Sequence, residues 1–421
     1  MMVLFLLMVS VGPLTTRTNI GEFPRQPSRQ RVAEALNFSS FGADSRFFRL
    51  CRDAAVCRVE LYAGFFHPAG QGRAERDVLR STDIAVMDTN CGAPSDEFSE
   101  ADNAAAQTWL HAWQHPADCA TAKLGVIDQY HRGGIGSSLH FVVYTALKIM
   151  SEGRVAVFGP GQWRWADCAQ GSPECYFLPF SSCRWTGHHS DALPYDNEYP
   201  PAPLHRPTGV LFQQKSWAFA RSHVLRYLMR PRPEVELHVR SLVARSFPLG
   251  LPRPLASLFV RRQDKVLYEN AAVSVDVYFD QLAHVAKTLR IRDVYLGTDD
   301  ALVVEEARAS FGGTFTIHTL DIERNFSLFN WMNETENRRK PLEEQMLASL
   351  ADLYLQVHAD VWVGTLSSNW CRLVDELRTA VGKTCFPFFD VEGLYLTEGT
   401  QLIRSSVRRQ RGNAAVLSPF D

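Results

Sequence analysis

The sequence predicts an α/β protein of two packed lobes with a parallel, doubly wound sheet, and three observations carry that expectation. The chain has 421 residues, beyond the size at which one apolar core usually keeps growing, so two lobes behind a loosely structured lead-in are expected. A glycine loop, a helix-length apolar run and a short buried strand follow one another between residues 133 and 158. From residue 255 onward, strand-length apolar runs alternate with helix-length segments, the pattern of a parallel sheet.

Taken in order, Met1 to Val11 is an apolar run, shorter than the roughly 20 residues that a membrane-spanning helix needs. Residues 1–14 are expected to be a signal peptide or a truncated membrane anchor; because no Lys or Arg precedes the run, a mis-called start codon is the plainer alternative. Residues 15–116 mix Arg- and Gln-rich patches with the acidic, Ala-rich stretch Asp96 to Ala106, and a stem followed by irregular packing is expected there. The first α/β lobe is set at 117–254. In it Gly133-Gly134-Ile135-Gly136 precedes a helix over Leu139 to Met150, and Arg154 to Phe158 reads as a buried strand. Gly159 to Pro254 is rich in Pro, Trp, His and Cys, a composition that suits loops bordering a cleft. The second lobe is set at 255–400, with strands at Leu258–Arg261, Asp293–Leu296, Thr314–His318 and Val361–Val363. Its helices fall at Val275–Leu289, Ala301–Ser310, Pro341–Val357 and Ser368–Val381. A tail, 401–421, closes the chain.

Hydrophobic residues at 46% and charged residues at 21% are the balance of a globular protein, and a formal net charge of −2 supplies no field to draw in nucleic acid. Cys51 with Cys57 and Cys168 with Cys175 are closely spaced, but neither pair has the C-x2-C or paired-histidine form of a zinc site, and His188-His189 has no partner at metal spacing. No metal site is therefore expected. Sequons at Asn37, Asn325 and Asn333, together with the apolar start, point to an oxidising lumen where disulfides persist.

Ligands of a doubly wound sheet bind beyond the carboxyl ends of its strands, which directs attention to the loops after Val260, Leu296 and Val363. The first carries Arg261, Arg262, Asp264 and Lys265, with Glu269 a few residues on; the second carries Thr298, Asp299 and Asp300; the third carries Thr365, Ser367 and Ser368. A guanidinium offers phosphate a fixed fork of donors and stays charged without a metal. A helix opening at Ser367 and Ser368 adds free N–H groups and a positive dipole end. Structural roles compete: Asp300 is suited to cap the helix starting at Ala301, Ser367 or Ser368 to cap the next, and an Arg pair to serve solubility. The pair follows the apolar run Leu258 to Val260 directly, which turns one side chain toward the inner edge of a cleft. Two familiar nucleotide motifs are incomplete. Gly382-Lys383-Thr384 has Leu377 at the required earlier glycine of a P-loop, and Gly134-Ile135-Gly136 has Leu139 at the third glycine of a dinucleotide fingerprint.

Six ordered blocks bear on function: Gly136 to Tyr144, Gln162 to Trp165, Val260 to Lys265, Val294 to Asp300, Ala351-Asp352, and Thr365 to Ser368 with Cys371-Arg372. In order and spacing they resemble the α1,6-fucosyltransferase family, which comprises eukaryotic enzymes acting on the N-glycan core and rhizobial nodulation enzymes. The match runs from about Cys119 to Tyr395, roughly two thirds of the chain.

That resemblance implies a GT-B-like glycosyltransferase, with an open α/β lobe on the acceptor side and a Rossmann-like lobe for the GDP-sugar. It implies inverting transfer of L-fucose from GDP-β-L-fucose to a glycan or glycoprotein, α1,6 to the core GlcNAc of N-glycans, in the Golgi lumen of the secretory pathway. By the same resemblance Arg261 binds the β-phosphate, while Ser368 and the loop from Gly134 through Gly136 to Ser137 enclose the diphosphate. Arg262, Ser367, His140 and Trp165 join the donor site. Asp352 reads guanine, its two oxygens taking the N1–H and N2–H donors. Glu269 is the general base, Lys265 its neighbour, and Asp264, Asp299 and Asp300 hold the loops. No cofactor or divalent metal is required; membrane anchoring through the N-terminus and a homodimer stay open. A Cys119–Cys183 disulfide is implied; the usual partner position of Cys371 holds Gly364, which leaves Cys385 as a substitute.

The chain also departs from the family. Phe259 stands where a histidine contacts guanine, so base recognition is expected to lean on Asp352 and on stacking against Trp165. About 50 residues follow Ser368, and no room is expected for the SH3-like domain of the animal enzymes. Rival expectations are another GDP-sugar, a protein-hydroxyl acceptor, or an inactive nucleotide- or glycan-binding module. Arg261, Lys265 and Glu269 together argue against the last, because a binder needs no base.

Overall fold

A computed structural model describes residues 99–187, 191–195, 205–262, 273–322, 324, 342–365 and 368–381, and the backbone of four short strands between 388 and 417. The first described element corrects an expectation. Glu100–Gln114 is a helix, α1, and the stretch ending at 116 is not irregular there. The Ser99 hydroxyl accepts from the Asp102 N–H at 3.1 Å, which satisfies one of the unpaired donors at a helix start. Ala106 and Leu110 are fully buried in the main core. Glu100 and Asp102, two of the acidic residues that suggested a stem, lie in the first turn, where they favour the helix dipole.

The first sheet is small and parallel, in the order β2-β1-β3, with β1 at Leu124–Ile127, β2 at Val155–Phe158 and β3 at Leu193–Tyr195. Helix α2, Ile135–Ser151, crosses from β1 to β2 and begins four residues earlier than the apolar run, with Gly134 as its N-cap. Gly159 to Pro254, expected to be loops, contains three α-helices among the described residues: α3 at Val210–Gln214, α4 at Trp217–Leu228 and α5 at Pro233–Ser246. The punctuating residues sit at their ends. The Ser216 side chain caps α4, and Pro233 occupies the first turn of α5, where its missing N–H costs nothing. Helix α4 is buried nearly all round, which hides the amphipathic period that would have marked it.

The second sheet is all parallel, in the order β6-β5-β4-β7-β8. Its strands are β4 at Leu255–Val260, β5 at Asp293–Thr298, β6 at Thr316–His318, β7 at Val361–Gly364 and β8 at Phe388–Asp390. Strand β4 is central and buried throughout, as a parallel strand covered on both faces should be. The connecting helices are α6 at Val275–Leu289, α7 at Ala301–Phe311, α8 at Leu342–His358 and α9 at Asn369–Ala380. From β4 the chain winds to one side through β5 and β6 and returns to the other side at β7, so the switch point lies beside the carboxyl end of β4. Helices α8 and α9 share one apolar core with α1, α2, α4 and α5. The core thus runs across residue 254.

Residues 401–421, expected to be a tail, hold two strands, β10 at Leu402–Arg404 and β11 at Val416–Leu417. They pair antiparallel into a sheet with β9 at Leu394–Leu396. Cys119 and Cys183 are disulfide-bonded, as the resemblance implied, and so are Cys168 and Cys175. Cys371 is buried within α9, while Cys385 lies outside the described residues. Among the described residues no helix is long and apolar enough to cross a membrane.

Candidate active site

The parallel register of β4 and β5 places Val260 against Thr298, so the residues that follow, Arg261 and Asp299, emerge side by side. Arg261 donates from Nη1 to Asp299 Oδ2 at 2.6 Å, and the Arg262 backbone N–H donates to Asp299 Oδ1 at 2.9 Å. One carboxylate therefore orients the Arg261 guanidinium and holds the turn that carries it. Arg262 donates its own Nη1 to Val273 O at 2.5 Å, tying the far end of the loop to the start of α6. Asp300 caps α7 by accepting from Leu302 N at 2.9 Å, the structural role that competed with its place in the donor site. Ser368 is the N-cap residue of α9 and makes no side-chain cap hydrogen bond. Its backbone N–H instead closes a turn onto Thr365 O at 3.0 Å.

Beside this strand end opens a crevice lined by Phe259, Tyr295, Asp299, Arg324, Asp352 and Trp370 among others. Asp352 reaches it from α8. Tyr295 donates its hydroxyl to Asp352 Oδ1 at 2.5 Å and Gln356 donates Nε2 to Oδ2 at 2.7 Å. Burial pushes the Asp352 carboxyl up from 3.8 to about 6, against the opposing pull of these two donors. Burial, reinforced by Asp352, also raises the Tyr295 hydroxyl well above its ordinary value, so it stays a donor. Gly297 makes the arrangement fit: a Cβ there would lie 2.6 Å from Asp352 Oδ1.

The glycine loop is preset by side chains. The His131 ring stacks on Phe141 with centroids 4.3 Å apart, and its Nδ1 accepts from Gly133 N at 3.1 Å and meets Ser137 Oγ at 3.1 Å. Burial lowers the His131 pKa, which favours the neutral ring that this acceptor role needs.

Several expected ligand contacts turn out to be interior. Trp165, taken as a stacking partner for the base, is 4% exposed and donates Nε1 to Gly133 O at 3.2 Å; it braces the glycine loop. His140 is 1% exposed and lies 3.1 Å from Glu376 Oε1, with its Nδ1 3.3 Å from Asn369 Oδ1. It joins α2 to α9 in place of facing the crevice. Glu376 also pairs with Arg221 of α4 at 2.8 Å. Burial would raise its carboxyl, but Arg221 and His140 overcome that and leave it lowered. Gly134 is the N-cap of α2, and Gly136 serves close helix packing, because a Cβ there would lie 2.9 Å from the backbone of Asn369 and Trp370. Since backbone cannot swing aside, Gly136→Ala is expected to destabilise the fold by about 1–3 kcal/mol, read as a lower urea midpoint.

Lys265, Asp264, Glu269 and Ser367 lie outside the described residues. The structure adds Tyr295, Gln356, Arg324, Trp370 and His131, none of which belonged to the expected site. Tyr295 falls inside a matching block, and Gln356 stands four residues after Asp352, one helical turn away; the others had no local signal. Among the described residues no group of three or more His, Cys, Asp or Glu is placed to hold a metal ion.

Two parallel α/β sheets, with an arginine and buried carboxylates gathered at the switch point of the larger one, define a parallel α/β fold with a candidate anion site at that switch point. Residues 201–390 match the family model for α-(1,6)-fucosyltransferase N- and catalytic domains. The chain is 26% identical over 410 residues to an α-(1,6)-fucosyltransferase of Drosophila melanogaster, an alignment covering 90% of this chain and 63% of that one. With a Caenorhabditis elegans α-(1,6)-fucosyltransferase the identity is 23% over 321 residues, covering 68% and 55%. The chain thus spans less than two thirds of the length of either relative. Among solved structures it is similar to NodZ α-1,6-fucosyltransferase soaked with GDP-fucose, at 13% identity and a TM-score of 0.36, over 71% of this chain and 99% of that one. A likeness at that score adds nothing to the fold described above.

Proposed function

We propose that this chain is an inverting fucosyltransferase that moves L-fucose from GDP-β-L-fucose to a glycan, α1,6 to the core GlcNAc of N-glycans. The observation that carries the reading is Arg261, held by Asp299 at the end of β4, beside a crevice into which Asp352 projects. Phosphate takes charge from such an arginine, and Asp352 offers the oxygens that guanine's N1–H and N2–H require. In a single displacement the acceptor hydroxyl gives up its proton as it attacks the anomeric carbon, the bond to the β-phosphate oxygen breaks, and GDP leaves with the electron pair. Glu269 receives the proton, Lys265 keeps that carboxylate ionised, and Arg261 stabilises the charge developing on GDP. Arg261 does the work for which other transferases use a divalent ion, so excess chelator should leave the rate unchanged. The family resemblance, the sequons and the disulfides support a place in the lumen of the secretory pathway.

The test is release of GDP and formation of fucosylated product from GDP-fucose with N-glycans ending in GlcNAc. Binding of GDP with no transfer to any glycan in such a panel would overturn the transferase reading and favour a nucleotide-binding module.

Protonated Asp352 loses one acceptor. GDP affinity is therefore expected to fall as pH drops through about 6, and Asp352→Asn should flatten that profile. For stability the sign is opposite. The folded state holds the Asp352 proton more tightly than the unfolded chain does, so its stabilising contribution, full at low pH, is lost as pH rises from the ordinary 3.8 to about 6. Titration of GDP binding between pH 5 and 8, with the Asn variant alongside, separates the two effects.

A further inference from the structure

Two side chains that line the crevice carry a buried donor with no acceptor among the described residues. Arg324 donates Nη2 to Leu320 O at 2.7 Å and Nη1 to Ile322 O at 3.3 Å, which pins the guanidinium to the segment after β6. Its Nε is buried and has no hydrogen-bond partner among the described residues. Trp370, in the first turn of α9, is 5% exposed, and its Nε1 is likewise buried and unpartnered. Both side chains line the crevice that Asp352 enters. A buried N–H left without an acceptor costs about 1–3 kcal/mol, so two in one crevice point to a ligand that supplies acceptors.

We propose that Arg324 and Trp370 are specificity-determining residues that take the acceptor edge of guanine, O6 and N7, while Asp352 takes the adjoining N1–H and N2–H. This rests on the GDP-sugar reading above and adds the half of base recognition that the sequence left unassigned. The chemistry selects the base. Guanine places a carbonyl and a ring nitrogen beside its two donors, and arginine N–H groups on O6 and N7 are the commonest specific contact to it. Adenine shares N7 but carries an amino group where guanine has O6 and an unprotonated N1 where guanine has a donor, so the donor on O6 and Asp352 would each meet the wrong partner. Phe259 packs on Trp370 with ring centroids 5.9 Å apart. It provides an apolar wall to the crevice and has no polar atom of its own, so hydrogen-bond selection passes to Arg324, Trp370 and Asp352.

Calorimetric titration of the full chain with GDP, ADP and the diphosphate of 2-aminopurine riboside, which lacks O6, tests the assignment. Arg324→Met, which keeps length and removes the donors, is expected to lower GDP affinity about ten-fold and to weaken 2-aminopurine diphosphate, which keeps N7 but has no O6, by a clearly smaller factor. Trp370→Phe, which keeps a ring and removes one N–H, should lower GDP affinity about three- to ten-fold with the same selectivity. Arg261→Ala, by contrast, should weaken all three ligands by a common factor. Thermal unfolding of each variant checks folding, and if one does not fold the other decides. Unchanged GDP affinity and an unchanged GDP-to-2-aminopurine ratio in the folded variants would overturn the proposal while leaving the donor reading intact. Failure of the wild-type chain to bind any of the three would overturn both.

Discussion

Arg261→Ala is expected to lower kcat/KM for GDP-fucose by about 10²- to 10³-fold, most of it visible as lost GDP affinity in direct titration. The guanidinium is 10% exposed and its partner Asp299 only 2%, and truncating one member of a buried, hydrogen-bonded charge pair at a ligand site costs about 2–5 kcal/mol. The variant does two things at once, since Asp299 is left without its cation, which in a buried pair costs the fold about 3–5 kcal/mol. Arg261→Lys separates them: it restores a positive charge beside Asp299 but not the planar fork, so stability should recover more than GDP affinity does. An Arg261→Ala chain that binds GDP as tightly as wild type would mean that the phosphate lies elsewhere.

Glu269→Gln should produce the other large effect, a fall of about 10²- to 10⁴-fold in kcat with GDP affinity within about two-fold of wild type. The amide keeps the size and one acceptor of the carboxylate but cannot take a proton from the acceptor hydroxyl. Since the donor is held by other groups, the loss should appear in kcat and leave donor KM nearly unchanged. Glu269 follows Arg261 by eight positions in the chain, and the proposed reading makes it the base beside the arginine proposed to receive the leaving phosphate. Unchanged turnover would return Glu269 to the role of a solvated loop carboxylate.

These contrasts follow how the site is built. Arg261 is fixed by a strand register, Val260 against Thr298, that brings it alongside Asp299, and Asp352 by its place on α8 above a glycine that leaves room for it. Both are oriented by hydrogen bonds within the protein, the preorganisation that the proposed stabilisation of a leaving group requires. The glycine loop is held in the same way, by the His131 ring on one side and the Trp165 indole on the other.

Much of the second lobe was readable because its helices are separated by buried β-branched strands. The period therefore switches cleanly at each boundary, and Val275–Leu289 has the bounds the sequence suggested. The same reading failed for Trp217–Leu228 because a helix buried on every side carries no amphipathic stripe. It failed for Glu100–Gln114 because acidic and alanine residues suit a solvated stem and a capped helix start equally well.

Local sequence was sufficient for the alternation of strands and helices, for Arg261 standing at a strand end and for Asp300 as a cap, since each depends on neighbours within a few positions along the chain. Only the tertiary structure could decide that His140 and Trp165 are buried braces, that Gly136 serves the meeting of two helices, and that Arg324 and Trp370 share a crevice with Asp352. Those outcomes depend on contacts between segments tens to hundreds of residues apart. Whether a side chain faces a ligand or a neighbouring helix is settled by that packing and leaves no mark in local spacing.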